Sequence, residues 1–194
     1  APFETIGGGP DAFGYYWSDS NISSDVDYDW IDIEEIGTQV SFESNLIGTE
    51  LMNIGFDFNL YGETYSQFLI NPNGWIGFEE DNETWYNTNL PSADYPTAAI
   101  FGFWDDLNPV NDSNSSGNGL IKYSSMSDKA VVWFDSVDHW PTNFEGSNYD
   151  FQMVLYSSGD IRFNYRSMLG DASSATIGVQ NSDGSLGSQL SYNS

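Results

Sequence analysis

No stretch of this sequence runs far without a turn signal. Short runs rich in β-branched and aromatic residues recur from end to end, and clusters of Gly, Asn, Asp, Ser or Pro cut each one off. Helical spacing of apolar residues is almost absent. Such a chain buries its apolar positions by alternation on strands and reverses at each cluster. Strands are expected near 13–17, 28–33, 38–43, 51–60, 64–70, 74–79, 98–104, 119–125, 129–135, 149–156, 160–165, 175–180 and 187–192. In DFQMVLY, Phe151, Met153 and Leu155 fall on one face, and Gln152, Val154 and Tyr156 on the other. Asn71-Pro72-Asn73-Gly74, Ser127-Asp128 and Ser157-Ser158-Gly159 have the composition of hairpin turns. The fold class expected is all-β: one antiparallel, jelly-roll-like β-sandwich over 1–194, with long polar loops at 80–97 and 108–118.

Charge narrows the functions open to it. Twenty-nine acidic residues face only Lys122, Lys129, Arg162 and Arg166, for a net charge of −25. Such a surface repels nucleic-acid backbones and anionic lipid, and attracts cations. With no cysteine, disulfides, zinc–thiolate sites and cysteine nucleophiles are excluded. No apolar run approaches the roughly 20 residues of a membrane-spanning helix, so no membrane insertion is expected. The start Ala1-Pro2-Phe3 reads either as a mature end after signal removal or as the edge of an excised domain.

AAIFGFWDDLNP (98–109) carries an apolar run, Ala98 to Trp104, directly into two adjacent aspartates. GGGPDAFGYYWSDS (7–20) likewise sets Asp11 and Asp19 around an aromatic run. Calcium takes roughly six to eight oxygens from carboxylates, amides and carbonyls, commonly in loops at strand ends. Asp11, Asp19, Asp105 and Asp106 are therefore candidate ligands of a stabilising calcium ion. Asp105 and Asp106 also read as solvated turn residues, one of them capping the backbone amide of Leu107 or Asn108. In DVDYDWID (25–32), Asp25, Asp27 and Asp29 share a strand face, either as a cation site or as an edge that repels other edges. DSNSSG (112–117) follows the first half of an EF-hand loop, but Tyr123 stands where the bidentate glutamate belongs, leaving a polar surface loop.

Catalysis has few handles. His139 is the single histidine, and no G-x-S-x-G elbow accompanies it. Many carboxylates are present, yet no pair is marked out for glycoside hydrolysis. A non-enzyme without catalytic residues is expected. Seven tryptophans and twelve tyrosines favour sugar binding, since exposed rings stack on pyranose faces. Trp85 and Tyr86, and Trp140 beside His139, are the least core-like; Trp17, Trp75, Trp104 and Trp133 lie within expected strands. Asn21, Asn82, Asn111 and Asn114 head Asn-x-Ser/Thr acceptors, which matter in a glycosylating host.

The ordered set GGPDAFGYYWSDS, YDWIDI, NIGFDFNLYGETYSQFLINPNGWIGF, AAIFGFWDDLNP, DFQMVLYSSGDIRFNY and SATIGVQNSDGS resembles an extracellular β-sandwich module of secreted, multidomain bacterial surface proteins. Such modules are common in Bacteroidota and related phyla, often beside subtilisin-like proteases or sorting tails. The middle, FDFNLYGETYSQFLINPNGWIGF followed by FWDDLNP, is similar to nidogen-like extracellular domains of animal adhesion proteins. The resemblance implies a non-catalytic module of adhesion, matrix contact or enzyme presentation at the cell surface, with shared aspartates at Asp11, Asp19, Asp105 and Asp106. The chain departs from it in its longer loop at 108–118 and its low lysine and arginine content. Two roles follow as expectations. One is binding of an extracellular polymer or glycan through loop aromatics. The other is assembly with copies of itself into a filament or surface layer, through strand edges or the arm APFETIGGGP.

Overall fold

The computed structural model describes residues 7–24, 26–79, 84–94, 96–110, 117–140 and 146–194. Among these residues there are twelve strands and no helix: β1 (Thr38–Val40), β2 (Met52–Leu60), β3 (Glu63–Asn71), β4 (Trp75–Gly77), β5 (Ala99–Trp104), β6 (Leu107–Asn108), β7 (Leu120–Ser125), β8 (Lys129–His139), β9 (Asn148–Tyr156), β10 (Ile161–Leu169), β11 (Thr176–Gln180) and β12 (Gly187–Tyr192). All pairings are antiparallel. One sheet runs β1-β7-β8-β9-β10 with β6 added against the end of β8; the other runs β12-β11-β5-β4-β3-β2. The three expected hairpins join β3 to β4, β7 to β8 and β9 to β10.

The sheets pack face to face, as alternation requires. Ile54, Phe58, Phe68, Ile70, Ile76, Ile100 and Phe103 from one sheet meet Val132, Phe134, Phe151, Met153 and Leu155 from the other, all buried. Each such side chain contributes about 1.5–3 kcal/mol by leaving water. Strand β5 is buried on both faces, which is why its sequence is continuously apolar. A bulge shifts its phase: the amides of Gly102 and Phe103 both donate to the Gly74 carbonyl, at 3.1 and 3.0 Å. Ile100 and Phe103 thereby point inward, while Phe101 and Trp104 join the outer cluster. Gly74 is indispensable here. It lies at φ 84°, and a Cβ would sit 1.8 Å from the Phe103 carbonyl oxygen.

Both outer faces are partly roofed. Over the β7–β10 sheet, Trp30 and Ile31 pack on Ile33, Val131, Trp133 and Val154. Over the other sheet, Leu90 of the β4–β5 loop packs on Leu69, Trp75, Phe101 and Trp104. The roofs are fastened by side-chain carboxamides. The buried Gln152 accepts from the Ile31 amide at 3.2 Å and donates to the Ile31 carbonyl at 2.7 Å, as a neighbouring strand would. Asn164 donates to the Asp29 carbonyl at 2.7 Å. Gln180 accepts from the Ser92 amide at 2.9 Å and donates to the Pro96 carbonyl at 2.6 Å, and Gln189 accepts from the Leu90 amide at 2.7 Å.

This corrects two expected strands. Residues 28–33 form no strand; side-chain amides of β9 and β10 bond to the backbone of Ile31 and Asp29 in place of a strand partner. Residues 13–17 belong to no sheet. There the Asp11 carboxylate holds the Phe13, Gly14 and Tyr15 amides at 3.0, 2.8 and 2.9 Å, leaving only a bridge between Gly8 and Trp17. Strand β6, two residues long, is too short for alternation to reveal.

Replacing Gln152 with leucine keeps the volume and strips the Ile31 amide and carbonyl of their partner. The expected result is a loss of ~1–3 kcal/mol in urea unfolding, seen as a lower midpoint with unchanged slope. Parent-like stability would show that the roof does not depend on this side chain.

Candidate functional site

The chain changes sheets at Asp105-Asp106. Strand β5 ends at Trp104 in one layer, and Leu107 and Asn108 pair with His139 and Asp138 of β8 in the other. The β3–β4 turn builds this corner. The Asn73 carbonyl accepts from the Asp105 amide at 3.2 Å, and its side-chain oxygen accepts from the Leu107 amide at 3.0 Å. The Asp105 carboxylate accepts from the Asp106 amide at 2.9 Å, and the Asp106 carbonyl accepts from the Trp140 amide at 2.7 Å. The two aspartates thus stand side by side because they form the bend between layers, and the first faces inward.

Asp105 is buried, and its Oδ2 is met from two sides. The Ser174 hydroxyl donates to it from the β10–β11 loop, and His139 Nε2 lies 3.4 Å away from the end of β8. Tyr149 closes the group, with its hydroxyl donating to the Asp171 carbonyl at 2.8 Å. Burial and the nearby Asp105 and Asp171 charges push that phenol up to about 12, so it remains a donor at neutral pH. Burial pulls His139 toward the neutral form, but the hydrogen bond and charge of Asp105 outweigh it and leave the imidazole raised. Asp106 is half-buried. Burial pushes its carboxyl up to about 6; the His139 charge opposes this, and the Asp105 charge adds to it.

Serine, aspartate and histidine do meet here, but in an order unlike that of a hydrolytic triad. In a triad the imidazole stands between hydroxyl and carboxylate and takes the serine proton. Here the carboxylate stands between the other two, and the serine hydroxyl is spent as a donor to it.

The aromatic loop abuts the same corner. The buried Thr84 offers its carbonyl to the indole nitrogens of both Trp75 and Trp104, at 3.3 Å each. Asn87 donates to the Ser174 carbonyl at 2.6 Å and to the Thr176 hydroxyl at 3.0 Å. One anchor therefore grips the residue before Asp105, and the other grips the serine bonded to Asp105. Between them Trp85 and Tyr86 stand in solvent, 45% and 62% exposed, edge to face with ring centroids 5.6 Å apart. Trp140 is half-buried and tied to the corner through its amide. Sequence reading marked the aspartates and the aromatics separately. It missed Asn73, Ser174 and Tyr149, which lie far off in sequence and in ordinary turn or strand contexts.

The NIDO-related family model matches residues 23–194. The chain belongs to the NIDO-related family. No curated protein and no solved structure matches it. Within this NIDO-related chain the two motifs that carry the nidogen-like resemblance, INPNGWIGF and FWDDLNP, are in contact: the first supplies Asn73 and Gly74, which hold the second in place.

The aspartates expected to hold calcium do not assemble into one site. Among the described residues, no group of three or more His, Cys, Asp or Glu is arranged to hold a metal ion. Asp11 caps three amides of its own loop and accepts the Tyr61 hydroxyl at 2.7 Å, latching that loop to the β2–β3 turn. Asp19 caps the Asn21 and Ile22 amides at 2.7 and 3.1 Å. Both also lie before the family match. Asp27 and Asp29 are exposed, and Asp29 pairs with Arg162 at 3.2 Å. Asp25, most of the EF-hand-like stretch, the arm at 1–6 and Asn82, Asn111 and Asn114 lie outside the described residues.

Two measurements follow. Asp106, raised to about 6 in the fold against about 3.9 unfolded, binds its proton more readily when native. The stability this gives is complete below about pH 3.9 and lost as pH rises through about 6, and raised His139 acts in the same direction at higher pH. Asp106→Asn is therefore expected to be more stable than the parent at pH 8, by about 1 kcal/mol after discounting for solvent screening, with the gap shrinking at pH 4. A less stable variant at pH 8 refutes this. In melting experiments, calcium and magnesium chlorides at equal ionic strength are expected to raise Tm alike by screening the net charge of −25. A calcium-specific rise, reversed by EGTA, would require a native-only site beyond the groupings described above.

Proposed function

We propose that this NIDO-related chain is a secreted, non-catalytic adhesion module of the cell surface that binds an extracellular polymer, a glycan, through Trp85 and Tyr86, with Trp140 as a further aromatic contact. The observation that carries this reading is the presentation of the pair. Two large rings are left in solvent on a loop whose flanking residues, Thr84 and Asn87, are fastened to the sheet by indole and carboxamide bonds. Exposing such rings forgoes burial worth about 1.5–3 kcal/mol each, and a firmly anchored loop loses little entropy when it binds. Flat faces on a fixed loop suit the apolar face of a sugar ring. The carboxylate-centred order of Ser174, Asp105 and His139 fits a structural clasp better than a nucleophile. Secretion and cell-surface placement rest on the resemblance of its motifs to extracellular modules and on an acidic composition that fits a secreted protein.

A glycan array probed with the parent and with Trp85→Ala tests the reading. The variant should keep the parent melting temperature, because the side chain lies outside the core, and lose about tenfold in affinity, or ~1.4 kcal/mol. Equal binding by the two proteins would remove this loop from the function.

A further inference from the structure

All four basic residues of the chain lie in one sheet. Lys122 is on β7, Lys129 on β8, and Arg162 and Arg166 on β10. Each is already engaged there. Lys122 sits over the Trp133 ring at 5.2 Å, Lys129 over Tyr156 at 5.5 Å, and Arg166 over Trp30 at 4.4 Å. Arg166 is also bound to Asp150 through two nitrogens, at 2.6 and 2.7 Å, while Arg162 pairs with Asp29. The Trp85–Tyr86 loop is fastened to the opposite sheet, through Trp75 of β4, Trp104 of β5 and Thr176 of β11. That sheet carries no lysine or arginine.

The segments to which the loop is anchored carry acidic residues instead. Asn87 holds the Ser174 carbonyl, and in the same short loop Asp171 presents an exposed carboxylate. Across the corner, Asp106 is half-exposed between Asp105 and Trp140. An anionic polysaccharide reaching the aromatic pair would meet a net negative field, with His139 at the corner largely buried and already paired to Asp105. A polymer bearing ammonium groups would be drawn by the net negative charge of a face without lysine or arginine, and would meet two aromatic π faces, each attractive to a cation.

We infer that the polymer recognised at Trp85 and Tyr86 is an amino-sugar polysaccharide with free, protonated amines. This inference rests on the glycan-binding reading above and adds the charge class of the ligand.

The test compares glucosamine oligosaccharides of one length in two forms, fully deacetylated and fully N-acetylated, in mildly acidic buffer at two salt concentrations. The backbone is shared and only the amine differs. The deacetylated form is expected to bind at least about tenfold tighter, with affinity falling as salt rises. Trp85→Ala should weaken it about tenfold at unchanged net charge, and Asp171→Asn should weaken it while leaving the residual affinity for the N-acetylated form in place. Because a chain this acidic attracts any polycation, Trp85→Ala is the decisive arm: parent-like binding by that variant means bulk attraction and overturns the inference. Equal or tighter binding of the N-acetylated form, still dependent on Trp85, overturns the amine requirement and leaves the glycan reading standing. Binding of neither form, together with no Trp85-dependent signal for any neutral glycan, overturns both.

Discussion

Neutral carboxamides, three of them buried, hold the covering segments of this fold in place. The central core is ordinary sandwich packing, but the two outer faces would each expose a wide apolar strip were they not roofed. Gln152 and Asn164 carry the roof on one side, and Gln180, Gln189 and Asn87 carry it on the other. A chain with 29 acids and four bases has few ion pairs with which to fasten loops. A carboxamide offers a donor and an acceptor without charge, so it can mimic a strand backbone under a covering loop while adding nothing to the repulsion. Left unmet in the same place, it would cost about 1–3 kcal/mol per buried group, so roof and sheet specify one another.

This arrangement explains what could be read from residues alone. Strands that pair with strands announce themselves by alternation and turn chemistry, and β2 to β5 and β7 to β12 lie close to where the sequence put them. Segment 28–33 carried the same alternation but pairs with side chains, and periodicity cannot tell one kind of partner from the other. The apolar-to-acidic junction at Trp104-Asp105 was visible as an anomaly. Its cause, a crossing between layers, depends on Asn73 and on β8, neither of which is local. Asp11 and Asp19 resembled ligands because a carboxylate ahead of a glycine- or asparagine-rich turn serves an ion or its own backbone with the same local pattern. Here both carboxylates bond to amides of their own turns.

Few as they are, the basic residues are not placed for solubility. Each lies on an aromatic ring or against a carboxylate in the β7–β10 sheet, and Arg166 does both, bridging Trp30 of the roof to Asp150 beneath it. Trp133 completes that packing by donating its indole hydrogen to Asp150 at 2.9 Å. The cations thus serve internal construction, and the field around the rest of the molecule is left almost wholly negative.

The passage of the backbone between layers has a mechanical corollary. One turn, 71–74, pins the bulge of β5, the bend at Asp105 and the start of β6, and β6 in turn lies against β8. Loosening that turn frees a strand in each layer at once, so neither sheet can peel away as a separate unit. The clasp makes the sandwich a single cooperative block under strain.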